Sequence, residues 1–365
     1  MDSQSRYSRR VSLALLGVPV VSWLAGCGGG SGDSGDSGSG SGTSTTPAST
    51  DSLKQALAAK PGSGNTLGPR HMPRPDARQG ITAIVRSADG NTVGVANTDG
   101  RVLVLNAQGQ ELRTLAPRGS PMSAGLVFSA DGRLLVSVGR DSLAQGWVVD
   151  TGVLEFTLRG HQHGLRAVAS STNGALVATG GEDTRVLAWD GARGFLRGAF
   201  SGLSNFVNAL GISPDAQLLA GGDADGQVLL WETGSSRLRF NLRGHADEIN
   251  ALGFSPDGRR LASAGSDRKV LIWDVASGSQ LRALVGQRSS VRSLSFNSDG
   301  SWLAGGCEDG RVIVWDSATG SVMQDLGGGS AAINSLAFDR RPRNELLAGT
   351  ADSQVLSWSL PARNG

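Results

Sequence analysis

Short runs of alternating apolar and polar residues, separated by turn residues, recur along most of the chain. Residues 249–284 show the pattern clearly, since INALGF, RLASAG, KVLIW and QLRAL follow one another in this stretch. Each run has the length and residue types of a β-strand, and Pro-Asp-Gly, Ser-Asp and Ala-Ser-Gly supply the turns between them. The pattern predicts four short antiparallel strands within one stretch of about 42 residues, the size of one propeller blade.

The same unit repeats through the chain in a constant register. A tryptophan recurs every 42 residues at Trp147, Trp189, Trp231, Trp273 and Trp315, and Trp358 follows after 43. An aspartate lies six residues before each of them; Asp99 and Leu105 hold the two places in the first unit. The units begin near Ile81, Ser123, Leu165, Val207, Ile249, Val291 and Ile333. Since one sheet cannot cover both of its own faces, seven such units predict an all-β ring of seven four-stranded sheets.

The last unit lacks a fourth strand. It stops after its third run at Trp358, and the residues SLPARNG that follow are poor strand formers. Counting whole periods back from QLRAL leads to RHMPR, residues 70–74. The sequence therefore predicts that residues around 66–74 pair with the last unit as its outermost strand and close the ring.

Two units contain polar side chains that together raise the question of catalysis. One set is His161, Thr179, Asp183 and Trp189, and the other is His245, Ser263, Asp267 and Trp273. Histidine, aspartate and a hydroxyl are the groups of a hydrolase triad. Two copies at the spacing of the repeat instead favour a structural role, because a catalytic site is usually present once. His161 and His163 are too few for a metal site, so no metal or cofactor is expected.

These motifs resemble those of the WD-repeat family, which is named for a Trp-Asp pair. The pair is literal at Trp189-Asp190, Trp273-Asp274 and Trp315-Asp316. The resemblance extends over about residues 65–365 and implies a seven-bladed β-propeller. It also implies that each histidine of the two sets bridges its aspartate and its hydroxyl, and that the hydroxyl accepts the indole N–H.

The resemblance further implies that partners dock on the face that carries the loops between blades. The residue after each unit's first apolar position is expected near the ring axis on that face. These residues are Thr82, Ala124, Arg166, Asn208, Asn250, Arg292 and Asn334. Arg166, Asn208, Asn250, Arg292 and Asn334 are thus candidate binding residues for a peptide or a carboxylate. The alternative is a solvated rim without a ligand.

The beginning of the chain has the anatomy of an export signal. Arg6, Arg9 and Arg10 precede an apolar stretch of about fourteen residues, shorter than a comfortable membrane span. Leu24-Ala25-Gly26-Cys27 follows and resembles the lipobox of bacterial lipoproteins, which implies lipidation of Cys27 and cleavage before it. An uncleaved membrane anchor is the alternative. A Gly/Ser-rich tract comes next and is expected to be disordered. The predicted organisation is a signal peptide (1–26), a lipidated linker (27–64) and a propeller (65–365).

Charge and cysteine content narrow the possible partners. Removal of residues 1–26 takes away three arginines and one aspartate and reduces the formal net charge from +2 to zero. An exported neutral protein lacks the basic surface that nucleic-acid binding usually needs. Cys27 and Cys307 are the two cysteines of the chain, so a lipidated Cys27 leaves no pair for a disulfide.

The sequence therefore predicts a non-catalytic scaffold, a monomeric ring that binds other proteins of the cell envelope. The constant repeat leaves no room for the inserted loops on which a propeller active site depends. An enzyme or a small-ligand receptor that uses the polar ring is the alternative. The resemblance to bacterial lipoproteins implies a location in the cell envelope. It also implies an anchor in the outer membrane, because in that family an aspartate after the lipidated cysteine retains the protein in the inner membrane, and here Gly28 follows Cys27; the inner membrane is the alternative.

Overall fold

Four-stranded antiparallel sheets make up the folded part of the protein. The computed structural model describes residues 69–72, 80–115, 123–327, 329–339, 341 and 344–361. All regular elements among these residues are β-strands, which form seven sheets of four strands each. The protein is a seven-bladed β-propeller, as the repeat predicts. Cys27, the signal peptide and the linker lie outside the described residues. The described part of the chain contains no helix of the length and apolarity that a membrane crossing needs.

Each blade has the same order of strands from the ring axis outward. The innermost strands are β2 (Ile81–Arg86), β6 (Ser123–Phe128), β10 (Leu165–Ser170), β14 (Val207–Ile212), β18 (Ile249–Phe254), β22 (Val291–Phe296) and β26 (Ile333–Phe338). The second strands are β3 (Thr92–Asn97), β7 (Leu134–Gly139), β11 (Leu176–Gly181), β15 (Leu218–Asp223), β19 (Arg260–Gly265), β23 (Trp302–Cys307) and β27 (Glu345–Thr350). The seven innermost strands begin at the seven predicted residues.

The third and fourth strands complete each blade. The third strands are β4 (Val102–Asn106), β8 (Leu143–Val148), β12 (Val186–Asp190), β16 (Val228–Glu232), β20 (Val270–Asp274), β24 (Arg311–Asp316) and β28 (Val355–Ser359). The outermost strands are β5 (Glu111–Leu115), β9 (Leu154–Arg159), β13 (Leu196–Phe200), β17 (Leu238–Leu242), β21 (Gln280–Leu284), β25 (Val322–Gly327) and β1 (Arg70–His71). We call the face with the loops between blades and the second-to-third-strand turns the upper face, and the opposite face the lower face.

The apolar core is divided among the interfaces between neighbouring blades. Each of the seven buried clusters combines residues of two consecutive blades. The tryptophan of the following blade lies in six of these clusters, and Leu105 takes its place in the cluster between the last and first blades. A buried indole contributes a large apolar area, so neighbouring blades stabilise each other.

The ring closes through the strand that precedes the first repeat. β1 pairs antiparallel with β28, with Arg70 opposite Ser357 and His71 opposite Leu356, and the backbone N–H of Met72 donates to Val355 O at 2.9 Å. This confirms the prediction that residues around 66–74 supply the outermost strand of the last blade. The pairing that the structure describes is shorter than that range.

A buried ion cluster joins the last blade to the first on the inner side of the same seam. Arg86, whose side chain is 4% exposed, lies with Nη1 2.7 Å from Glu345 Oε2 and Nη2 3.5 Å from Asp339 Oδ2. Ile84 N also donates to Ser335 Oγ at 3.0 Å. Because a buried guanidinium is costly without partners, these contacts tie the two ends of the repeat array together.

Removal of β1 should destabilise the ring. We expect a chain without residues 1–76 to unfold at a temperature lower by about 5 °C or more, because it loses the ladder bonds to β28 and the packing of Met72. Thermal unfolding followed by circular dichroism measures the difference. A chain without residues 1–64 retains β1 and is the matched control; equal midpoints for the two truncated chains would contradict the assigned closure.

Candidate functional site

A β-bulge at the start of every innermost strand creates the polar ring that the sequence singles out. In all seven blades the register shifts between the first and third residues of this strand. The second residue is therefore the extra one, and a bulge redirects its side chain. The extra residues are Thr82, Ala124, Arg166, Asn208, Asn250, Arg292 and Asn334.

Two arginines of this ring bind the next blade in the same way. Arg166 Nη1 donates to Asn208 Oδ1 at 3.2 Å, and its Nε donates to Glu182 Oε1 at 3.1 Å. Three blades further on, Arg292 Nη1 donates to Asn334 Oδ1 at 3.4 Å and Nη2 pairs with Glu308. The arginine side chains are 13% and 17% exposed. Each arginine thus already has a carboxylate and an amide as partners.

The asparagines of the ring are internal, whereas the sequence predicts either a binding surface or a solvated rim at these positions. Asn208, Asn250 and Asn334 are 2–3% exposed. Asn250 Nδ2 donates to Val291 O at 3.2 Å, and Asn334 Nδ2 donates to Ile81 O at 2.7 Å. Asn250 and Asn334 thus bond to the next blade, whereas Asn208 accepts from Arg166 of the preceding blade. Buried positions accept them because their hydrogen bonds are satisfied.

The first predicted set of four side chains forms a continuous hydrogen-bonded chain. His161 Nδ1 lies 3.0 Å from both carboxylate oxygens of Asp183, and Nε2 lies 2.9 Å from Thr179 Oγ1. The indole N–H of Trp189 donates to Thr179 Oγ1 at 2.9 Å. In the neutral imidazole with the proton on Nδ1, Nδ1–H donates to Asp183, and the hydroxyl accepts from the indole and donates to His161 Nε2.

Burial and hydrogen bonding together determine the pKa values of His161 and Asp183. Burial lowers the pKa of His161 and outweighs the opposing effect of Asp183. Burial also tends to raise the pKa of Asp183, yet the N–H of Gln162 and the side chain of His161 bring this pKa below its usual value. Asp183 therefore remains an acceptor for the loop that begins the blade, whose Gln162 N–H lies 3.0 Å from Oδ2.

The second set repeats this geometry two blades further on. His245 Nδ1 lies 3.0 Å from Asp267 Oδ1, and Nε2 lies 2.8 Å from Ser263 Oγ. Trp273 Nε1 donates to Ser263 Oγ at 2.8 Å, and Ala246 N donates to Asp267 Oδ2 at 3.0 Å. In both sets the hydroxyl residue is fully buried, so a substrate has no access to it. We interpret both sets as supports for the loops of the upper face.

Other blades hold their upper loops with different groups, which the sequence reasoning missed. Trp231 Nε1 donates to Ser201 O at 3.1 Å, and Ser204 Oγ donates to Asp225 Oδ2 at 2.7 Å. In the sixth blade Trp315 Nε1 donates to Val285 O, and Asp309 N donates to Ser289 Oγ at 3.1 Å. A serine one or two residues after the expected histidine position was the available signal.

His163 was weighed as a metal ligand in the sequence. The residues that the structure describes contain no group of three or more His, Cys, Asp or Glu side chains suited to a metal ion.

Comparison with known families agrees with the architecture. The family model described as WD domain, G-beta repeat matches residues 152–190, 194–232, 236–274 and 278–316. These segments are WD40 repeats, and the protein is a seven-bladed β-propeller that contains them. Each segment runs from the outermost strand of one blade through the third strand of the next, so consecutive repeats interlock. Among curated proteins none matches this chain.

Loss of the buried hydroxyl in the third blade should be costly. We expect Thr179→Val to lower the free energy of unfolding by about 2 kcal/mol, because His161 Nε2 and Trp189 Nε1 lose their shared partner in a buried site. Urea unfolding followed by circular dichroism gives the value. Thr179→Ser is the matched control, since the fifth blade uses serine at this place; a valine variant as stable as the serine variant would refute the role of the hydroxyl.

Proposed function

We propose that the protein is a membrane-anchored, extracytoplasmic WD-repeat scaffold that brings other proteins together and performs no catalysis. WD40 propellers commonly mediate protein interactions. The observation that carries the proposal is the internal use of the polar side chains near the ring axis. Arg166 and Arg292 donate to Asn208 and Asn334, and Asn250 donates to Val291 O. This leaves the exposed loops of the upper face as the surface for recognition.

The enzyme alternative has less support from the same geometry. An active site needs a nucleophile, an acid or a base that a substrate reaches. The hydroxyls of Thr179 and Ser263 are fully buried, and the two histidines beside them are engaged at both ring nitrogens. The exposed loops of the upper face suit a protein partner better than a small substrate, which needs an enclosed pocket.

The direction of β1 supports an anchor at the N-terminus. β28 runs from the upper turn toward the lower face, and β1 runs antiparallel to it. β1 therefore begins at its lower-face end. A lipid on Cys27 would anchor the chain N-terminal to this strand. We place the protein in the bacterial cell envelope, on the periplasmic side of the outer membrane, with envelope proteins as partners and no nucleic acid.

Lipidation of Cys27 is directly testable. In bacteria that produce the full chain, we expect the wild-type protein to be labelled by an alkyne-tagged palmitate and to sediment with membranes. We expect the Cys27→Ser variant to lose both properties. Cys307→Ala is the matched control, because Cys307 is fully buried and burial raises the pKa of its thiol to about 12. Labelling that survives Cys27→Ser would contradict the proposed anchor.

Partner binding on the upper face is testable by photo-crosslinking in the same cells. A photoreactive residue at the exposed upper-face positions Gln162 or Ala246 should give discrete adducts with other proteins. The same residue at Leu154, which is 40% exposed on an outermost strand, is the control. Absence of adducts from both upper positions, or one common pattern from all three positions, would argue against the scaffold.

A further inference from the structure

An exposed aromatic side chain stands on the upper face at the start of the fourth blade. Phe206 is 39% exposed, although it directly precedes β14. The guanidinium carbon of Arg166 lies 4.8 Å from the centroid of its ring, and Arg166 is itself fixed by Glu182 and Asn208. The backbone is also held, since Ala224 N donates to Phe206 O at 3.0 Å. The ring is thus presented to solvent in a fixed orientation, which lowers the entropy cost of binding.

The loops around Phe206 are acidic. The segments 203–208, 223–227 and 245–250 contain four carboxylates and no lysine or arginine. They adjoin one another: Asn205 Nδ2 donates to Asp225 Oδ1 at 2.9 Å, and a Cβ atom on Gly226 would lie 2.8 Å from Asp247 O. Of the other six second-to-third-strand turns, four contain Arg or Lys, and Arg311 begins the third strand directly after a fifth. The residues in the four turns are Arg101, Arg140, Arg185, Arg268 and Lys269. The fourth blade therefore differs in charge from most of the ring.

The carboxylates of this region do not all face solvent. Asp223 is fully buried and accepts from Ser204 N at 3.1 Å and Gln227 N at 2.9 Å. Asp225 and Asp247 are exposed, and Glu248 is partly exposed. Hydrogen bonds from Asn205 and Ser204 lower the pKa of Asp225, so its carboxyl is ionised at neutral pH. Three exposed or partly exposed carboxylates thus lie in the segments that adjoin Phe206.

A cleft opens on the outer side of the same turn. Its volume is about 370 Å³, and its walls include Asp225, Gln227, Asn241, Arg243 and His245. The cleft is open to solvent, so it suits a side chain of a docked segment better than a free small molecule. Asp225 and Arg243 both line the cleft, so a cationic group is favoured beside Asp225 and disfavoured beside Arg243.

We propose that Phe206, Asp225, Asp247 and Glu248 form a docking site for an extended segment of a partner protein in which basic and apolar side chains alternate. This inference rests on the proposed scaffold function and specifies its partner. An apolar side chain would pack on the exposed part of the Phe206 ring, and lysine or arginine side chains would pair with the bordering carboxylates. Anionic lipid surfaces and nucleic acids are disfavoured by the same charges.

The test uses the full chain and a short fluorescein-labelled peptide in which Lys and Arg alternate with Leu and Phe. Fluorescence anisotropy should show saturable binding that weakens as salt is raised. A peptide with Glu in place of the basic residues should not bind. Failure of the basic peptide to bind, or equal binding of both peptides, would overturn the proposal.

Substitutions show where on the protein the peptide binds. We expect Phe206→Ser to weaken binding about 10-fold or more, and Asp225→Asn combined with Asp247→Asn and Glu248→Gln to do the same. The matched controls are Phe195→Ser, whose side chain is 68% exposed beside an outermost strand, and Asp150→Asn combined with Glu155→Gln. Thermal unfolding verifies that all variants are folded. Equal weakening by the control variants would refute the site.

The docking site and the scaffold function can be tested independently of each other. If Gln162 yields crosslinked partners while Phe206→Ser leaves peptide binding unchanged, the scaffold stands and this docking site is wrong. If the peptide binds through Phe206 while neither upper position yields adducts in cells, the site stands as a peptide-binding surface and the scaffold function fails.

Discussion

The close approach of consecutive blades is the constraint on which the rest of the ring depends. In the second strand of the third blade, a Cβ atom on Gly180 would lie 2.5 Å from Val207 Cγ1, in the first strand of the next blade. The same relation joins Gly222 to Ile249, Gly306 to Ile333 and Gly349 to Ile81. The branched side chain of one blade packs directly on the backbone of the other because the glycine has no side chain to separate them. Further from the axis the sheets diverge, and a tryptophan fills the wider space. Small inner and large outer residues follow from one wedge-shaped interface.

The polar groups near the axis serve the same interfaces. A bulge in each first strand places one extra side chain between blades, where Asn250 and Asn334 donate to backbone carbonyls of the next blade. The histidine sets act further out and fix the loops of the upper face. Recognition therefore depends on side chains that these networks leave accessible. Phe206 is such a side chain, since Arg166 supports one part of its ring and solvent covers another.

Local patterns were sufficient to predict the ring. Strand alternation, turn residues and tryptophan spacing depend on neighbours in the sequence, so they place the start of every first strand, from Ile81 to Ile333, correctly. Closure by the residues around Arg70 followed from counting periods, because the last repeat lacked a strand. The sites were harder to predict. The repeat placed Asn208 at a polar position of the ring, but only the fold shows that its side chain is buried and accepts a hydrogen bond from Arg166 of the preceding blade.

The sequence by itself determined the number of blades, the strands in each blade and the residues that repeat at each position, because short-range propensity and periodicity carry this information. The tertiary structure alone decided which polar side chains form hydrogen bonds between blades and which remain on the surface. It also brought Phe206 next to Arg166, Asp225 and Asp247, which belong to three different blades. Burial and charge proximity arise only when distant segments pack together, and no single repeat contains them.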